Sequence, residues 1–215
     1  MLEAIIFIIY VAVFLYSVIL HEIAHGFVAL KFGDDTARLS GRLSLNPLVH
    51  IDPFGSVLLP LLLYLSTGFA FGYAKPVPVN PYRLSGGPAA YRWVSVAGIL
   101  TNLTLAVISA AILRITDLIG IGGSTAGVLF FQIAFILNIV LAVFNAMPFP
   151  GFDGFNFLST FGFFERIFRS TPLANPLFMA RYGLLVSLLI IFLAWPIVQT
   201  VIVFIINLIS AVFGI

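Results

Sequence analysis

LEAIIFIIYVAVFLYSVILHEIAHGFVALKF, residues 2–32, decides the fold. The stretch holds no proline and one glycine, Gly26, so little inside it breaks a helix. At ~1.5 Å per residue it is long enough to cross ~30 Å of hydrocarbon. Gly33-Asp34-Asp35 follows, a helix stop and then a turn. Residues 4–20 are apolar enough to mimic a signal peptide. No Lys or Arg precedes them, however, and the run passes into HEIAH where a cleavage site would need small residues. A retained membrane helix is expected.

Composition extends that reading to the whole chain. Of the 215 residues, 61% are hydrophobic and 8% charged, whereas soluble domains carry about 25% charged residues. So little charge cannot keep a surface wet, and lipid is the expected solvent. The formal charge of +2, with no basic run, argues against a nucleic-acid partner. No cysteine is present, which excludes disulfides and thiolate metal sites.

Further along, residues 36–50 (TARLSGRLSLNPLVH) alternate partly around Gly41 and suggest a short hairpin or irregular strand pair. Residues 51–72 form a short apolar run interrupted by Pro60; such runs are more often re-entrant than spanning. Pro76, Pro78 and Pro81 make the next stretch an extended loop. Helices are expected at about 88–115 and 125–147, the second ending in NAMPFPGFDG. The aromatic, mildly basic 155–170 fits an interfacial helix, and 182–213 a single tilted helix kinked at Pro196. The expected fold is an all-α membrane protein: one domain over 1–215, a polytopic helical bundle with a small re-entrant hairpin or loop region at 36–87.

Polar residues inside such a chain need a reason. His21 and His25 lie four apart and share one helix face, with Glu22 beside them. Two neutral imidazoles at this spacing suit Zn²⁺, and the carboxylate suits a general base for a metal-activated water. The bland alternative is a pair of packed histidines with Glu22 as an ion-pair partner. Ionisable groups cost about 2.5–3.5 kcal/mol each within a membrane segment on insertion scales, and three clustered in this order favour the metal. Catalytic zinc usually has three protein ligands. Among the few acids, Asp153 follows a proline-broken membrane helix, where unwound backbone can line a cavity, and is the expected third ligand. His50 and Asp52 in NPLVHIDPFGS are held in reserve; His50 can serve as a ligand, as a hydrogen-bond donor behind one, or as a transition-state stabiliser.

HEIAH in the first helix, AGILTN at 97–102 and NAMPFPGFDG at 145–154 together resemble the site-2 protease family of intramembrane zinc metalloproteases. NPLVHIDPFGS and FGYAKPVPVNP resemble its compact bacterial branch, without PDZ or CBS domains. The resemblance covers most of residues 10–155. It implies zinc held by His21, His25 and Asp153, with Glu22 as base. It further implies that Asn145 holds substrate near the metal, and Asn102, which closes a Gly-x-x-x-Asn pattern opened by Gly98, is with His50 a further candidate to hold the substrate backbone or its oxyanion. Ile99 departs from the family's usual proline. The implied partner is a single-pass membrane protein cleaved within or near its transmembrane segment, in the regulated proteolysis typical of the family.

Topology adds a condition. His21 lies late in the first helix, and Asp153 just beyond the helix beginning near 125. Sharing one metal requires those helices to run parallel, so residues 33–87 must return to the side they left. Lys31, Arg38, Arg42, Lys75, Arg83, Arg92, Arg166, Arg169 and Arg181 then share one side, with only Arg114 opposite. That bias marks the cytoplasmic face and places the site towards the cytoplasm of a multi-pass protein, in a bacterial cell membrane if the resemblance holds. A zinc or proton transporter using intramembrane His and Asp is the rival expectation, although no internal repeat of the transporter kind is present.

Overall fold

The computed structural model describes residues 2–58, 62, 65, 75–120 and 126–215. The helices are α1 (Leu2–Lys31), α2 (Thr36–Leu39), α3 (Gly87–Leu118), α4 (Ala126–Asn145), α5 (Asp153–Ser159), α6 (Gly162–Arg169) and α7 (Pro176–Phe213). Short 3-10 turns lie at Pro47–Val49, Pro81–Arg83 and Pro172–Ala174, and a π-helical turn at Pro53–Leu58. Among the described residues, four segments are long and apolar enough to cross a membrane: Glu3–Lys31, Gly87–Leu118, Ala126–Asn145 and Leu189–Phe213. The protein is thus an all-α, polytopic membrane bundle.

Each terminus follows from local chemistry. Glu3 and Lys31 sit at the ends of α1 where the helix dipole favours them. Gly33, at φ +94°, turns the chain so that Asp34 N–H bonds back to Ala29 C=O at 3.0 Å. Asn175 caps α7 through Leu177 N–H at 2.9 Å, with Pro176 in the first turn. Asn145 ends α4, and Pro148 and Pro150 beyond it have no N–H to continue the helix.

Packing fixes helix directions. Along α3 every fourth residue is buried: Ala90, Val94, Gly98, Asn102, Ala106 and Ala110. This stripe of mostly small side chains lets neighbouring backbones approach closely. His25 meets Val94 and His21 meets Asn102, so α1 and α3 are antiparallel. Val13 packs on Ala134 and Leu137, and Ser17 meets Asn138, so α1 and α4 are parallel. Hydroxyls within the spans return to carbonyls one turn back, as Thr104 does to Leu100 and Ser109 to Leu105. Arg114 binds Asp117 and the Gly214 carbonyl, tying the ends of α3 and α7 together. Ser85 N–H donates to Phe32 C=O at 2.7 Å. The chain therefore leaves α1 and re-enters at α3 on the same end of the bundle.

Three expectations need correction. Residues 36–50 form no strand pair: among the described residues there is no strand at all. Asp34 is fully buried and accepts Thr36 N–H, which starts α2, and Gly41 at φ +65° follows its end, so the polar residues cap turns and do not alternate across a sheet. Residues 155–170 are not one helix. The chain breaks at Thr160–Phe161 into α5 and α6, and Phe155 folds back onto Phe164 and Phe168. The last helix starts at Pro176, earlier than expected, because the Asn175–Pro176 cap starts it. Most of the short apolar run at 51–72 lies outside the described residues.

Candidate metal centre

Three side chains converge at the junction of α1, α3 and α5. His21 and His25 project from one face of α1 and are buried. Asp153 is the first residue of α5, delivered by the turn that follows Pro148 and Pro150. His21 Nε2 lies 3.0 Å from Asp153 Oδ2, and His25 Nε2 lies 3.2 Å from the same oxygen. The two Nε2 atoms are 3.1 Å apart. These donor atoms form a group able to hold a metal ion.

Hydrogen bonding on the far side of each ring settles what faces the centre. His25 Nδ1 is 2.6 Å from the Val94 carbonyl, which can only accept, so Nδ1 carries the proton. His21 Nδ1 is 2.5 Å from Asn102 Oδ1 and donates likewise. In neutral rings both Nε2 atoms are then bare lone pairs. They point at each other and at Asp153 Oδ2, a buried oxygen with no hydrogen-bond donor. Such an arrangement repels itself unless positive charge sits at its centre.

The spacing suits a small cation. Tetrahedral bonds of about 2.0–2.1 Å imply donor separations of about 3.3 Å, against the observed 3.0 to 3.2 Å. Space for it is built in at Gly98, where an added Cβ would press on the His21 ring and lie 2.5 Å from His25 Nε2. Two imidazoles and a carboxylate are donors that zinc accepts, with a fourth position left for chemistry.

Glu22 flanks the centre, half-buried, and its Oε2 accepts the Val77 N–H at 2.8 Å. The segment carrying Val77 is held by Arg42, a buried side chain whose guanidinium donates to the carbonyls of Val49, Lys75 and Pro76. Asn145 is half-buried at the end of α4 and donates one amide hydrogen to Leu141 C=O at 3.0 Å. Among the described residues its oxygen accepts no side-chain hydrogen bond.

His50 and Asp52 are not brought into the His–His–Asp group. The His50 ring is buried and bonds the Ser44 carbonyl at 2.8 Å, while its own carbonyl accepts Lys75 N–H. Asp52 Oδ1 accepts the N–H groups of Phe54 and Gly55 and so caps the π-helical turn. Sequence reading passed over two contributors, Val77 as a donor to Glu22 and Asn138, a buried amide behind Asn102, and it named Gly98 only as part of a motif, not for its close contact with both imidazoles. A signal for Asn138 existed, since a lone amide in an apolar span needs a partner.

The chain is similar to Putative zinc metalloprotease YwhC of Bacillus subtilis, with 42% identity over 146 residues, which is 66% of this chain and 64% of that protein. It is also similar to Putative zinc metalloprotease Rip2 of Mycolicibacterium smegmatis, 33% identical over 155 residues, or 71% and 57% of the two chains. Rip2 of Mycobacterium tuberculosis is 32% identical over 152 residues, or 70% and 56%. The match thus spans between about half and two thirds of these relatives' lengths. No family profile and no solved structure matches the chain.

Proposed function

From a chain that is site-2-protease-like and homologous to proteins named for zinc metalloproteases, we propose a zinc-dependent protease that cuts peptide bonds within or beside transmembrane segments of other membrane proteins. The reading rests above all on one observation: two imidazole Nε2 atoms and one buried carboxylate oxygen converge within 3.2 Å inside a membrane bundle.

Zinc bound by His21, His25 and Asp153 would supply Lewis acidity, polarising a carbonyl and acidifying a water. Glu22 takes the water proton and passes it to the leaving amine. The Val77 N–H holds one carboxylate oxygen of Glu22 and so orients the other. Asn145 positions the substrate backbone, and the half-buried residues around the site limit water. A transmembrane helix hides its peptide groups in its own hydrogen bonds, so a single-pass substrate must unwind locally before it can be cut. Phe32 and Ser85 meet at the end of the bundle where α1 stops and α3 begins, so Lys31, Arg83 and Arg92 share that end, whereas Arg114 lies near the other end of α3. That bias supports a site facing the cytoplasm of a bacterial cell membrane.

The test is cleavage of a single-pass substrate by the protein in zinc-loaded proteoliposomes. Wild type should cleave, and Glu22→Gln should keep its zinc and lose cleavage. Cleavage by Glu22→Gln would refute the role of Glu22. Zinc uptake into the vesicles without any proteolysis would favour a transporter.

A further inference from the structure

Behind His21 lies a hydrogen-bonded chain that reaches from α1 through α3 to α4. His21 Nδ1 meets Asn102 Oδ1 at 2.5 Å. Asn102 Nδ2 meets Asn138 Oδ1 at 2.8 Å. Asn138 Nδ2 meets the Ala134 carbonyl at 2.9 Å and Ser17 Oγ at 3.0 Å. Both asparagines are buried, with relative exposures of 0% and 1%, in spans apolar enough to cross a membrane.

The direction of this chain is fixed at its far end. An amide can present either its oxygen or its NH₂ to a neighbour, and side-chain neighbours can often invert with it. The Ala134 carbonyl cannot, because it only accepts. Asn138 must therefore turn its NH₂ towards Ala134, which turns its oxygen towards Asn102. Asn102 must answer with its own NH₂, which turns its oxygen towards His21. An amide oxygen only accepts, so His21 carries its proton on Nδ1 and leaves Nε2 bare. Inverting any one member would set two acceptors or two donors face to face at a buried position, where an unmet polar group is costly.

We infer that Asn138 is a positioning residue of the metal centre: through Asn102 it holds His21 in the Nδ1–H tautomer, with Nε2 aimed at Asp153 and His25. The inference rests on the zinc-protease reading above but concerns only how a ligand is presented. Asn138 touches neither His21 nor Asp153. Its influence travels through one amide, and the geometry of α4 sets it. Partners that orient metal-binding histidines typically change metal affinity by about 10–100-fold when removed.

The test is a double-mutant cycle on zinc affinity, read by chelator competition on the full-length protein in detergent. Asn138→Leu should weaken zinc binding by about 10–100-fold. Placed on Asn102→Ala, it should weaken binding little further, because both act on one path. Unchanged affinity in Asn138→Leu would overturn the inference, as would full additivity of the two substitutions, which would mark Asn138 as a packing residue. A second measurement needs no variant and covers the case in which Asn138→Leu fails to fold. In zinc-loaded wild type with ¹⁵N-labelled histidine, His21 should show a protonated Nδ1 and a coordinated Nε2. Coordination through Nδ1 would overturn the inference. Failure of the wild type to bind zinc at all would instead overturn the zinc-protease reading, so the two failures are distinct.

Discussion

Gly98→Ala is the smallest substitution that should empty the metal centre. A Cβ at position 98 would press on the His21 ring and stand 2.5 Å from His25 Nε2. Comfortable carbon–nitrogen contact begins near 3.4 Å, so the rings must retreat by about 1 Å. Metal–donor bonds tolerate about 0.2 Å, five times less. Neither ring can retreat freely, because Asn102 and the Val94 carbonyl hold their far sides. Overpacking of this kind costs about 1–3 kcal/mol, which a well-packed bundle can survive. Zinc affinity should therefore fall by about 10–100-fold or more while the protein still folds, the range seen when groups that merely orient metal-binding ligands are lost. The assay is zinc competition alongside thermal unfolding, with Gly127→Ala as control, because a Cβ there meets nothing within 4 Å. Wild-type zinc affinity in a folded Gly98→Ala protein would refute the placement of the ion in front of Gly98.

Other consequences are as specific. A Cβ at Gly154 would drive into the Ala146 peptide, 2.5 Å from its carbonyl carbon; Gly154→Ala should displace Asp153 and cut zinc retention about tenfold or more, read by metal analysis after gel filtration. Arg42→Ala should free residues 75–77 from Arg42 and loosen Val77 from Glu22, lowering kcat about 10–100-fold with zinc content unchanged. For Asp34, burial acts to raise its carboxyl pKa, but hydrogen bonds from Thr36 and Asn80, with the Arg83 charge, outweigh it and hold the pKa below the usual range. Its stabilisation is thus complete above about pH 4 and fades as pH falls through the lowered folded value. Asp34→Asn should flatten that part of a pH-dependent unfolding curve. Because the chain has no cysteine, single cysteines at Ser40 and Ile119 can map sidedness. Maleimide labelling should reach Ser40 from the cytoplasm and Ile119 from outside, and the reverse pattern would invert the proposed orientation.

The sequence made the four long helices and the His21–Glu22–His25 face legible because each rests on a local rule: an unbroken apolar run, or a spacing of four. Asp153 was reachable by elimination, since few acids exist and only one follows a proline-broken span. What stayed hidden depends on contacts between segments distant in the chain. Residues 36–50 alternate in hydrophobicity, yet Asp34 and Gly41 set turns there, and Arg42 finds its carbonyl partners at Lys75 and Pro76. His50 reads as chemical in sequence, yet its ring lies outside the His–His–Asp group, with Nε2 on the Ser44 carbonyl and Nδ1 buried without a hydrogen-bond partner. The break at Thr160–Phe161 lets Phe155 pack on Phe164 and Phe168, a contact that no period of apolar residues encodes. Asn138 was visible as an odd polar residue in an apolar run, but its partner Asn102 is thirty-six residues away, and only packing of α3 on α4 joins them.

The most direct measurement is X-ray absorption at the zinc edge on the purified wild-type protein. One zinc per chain should appear with two imidazole nitrogens at about 2.0–2.1 Å and the remaining donors oxygen, and the imidazole signal should fall in His21→Ala. Absence of stoichiometric zinc, or a zinc shell that keeps both imidazoles in His21→Ala, would contradict the centre built by His21, His25 and Asp153.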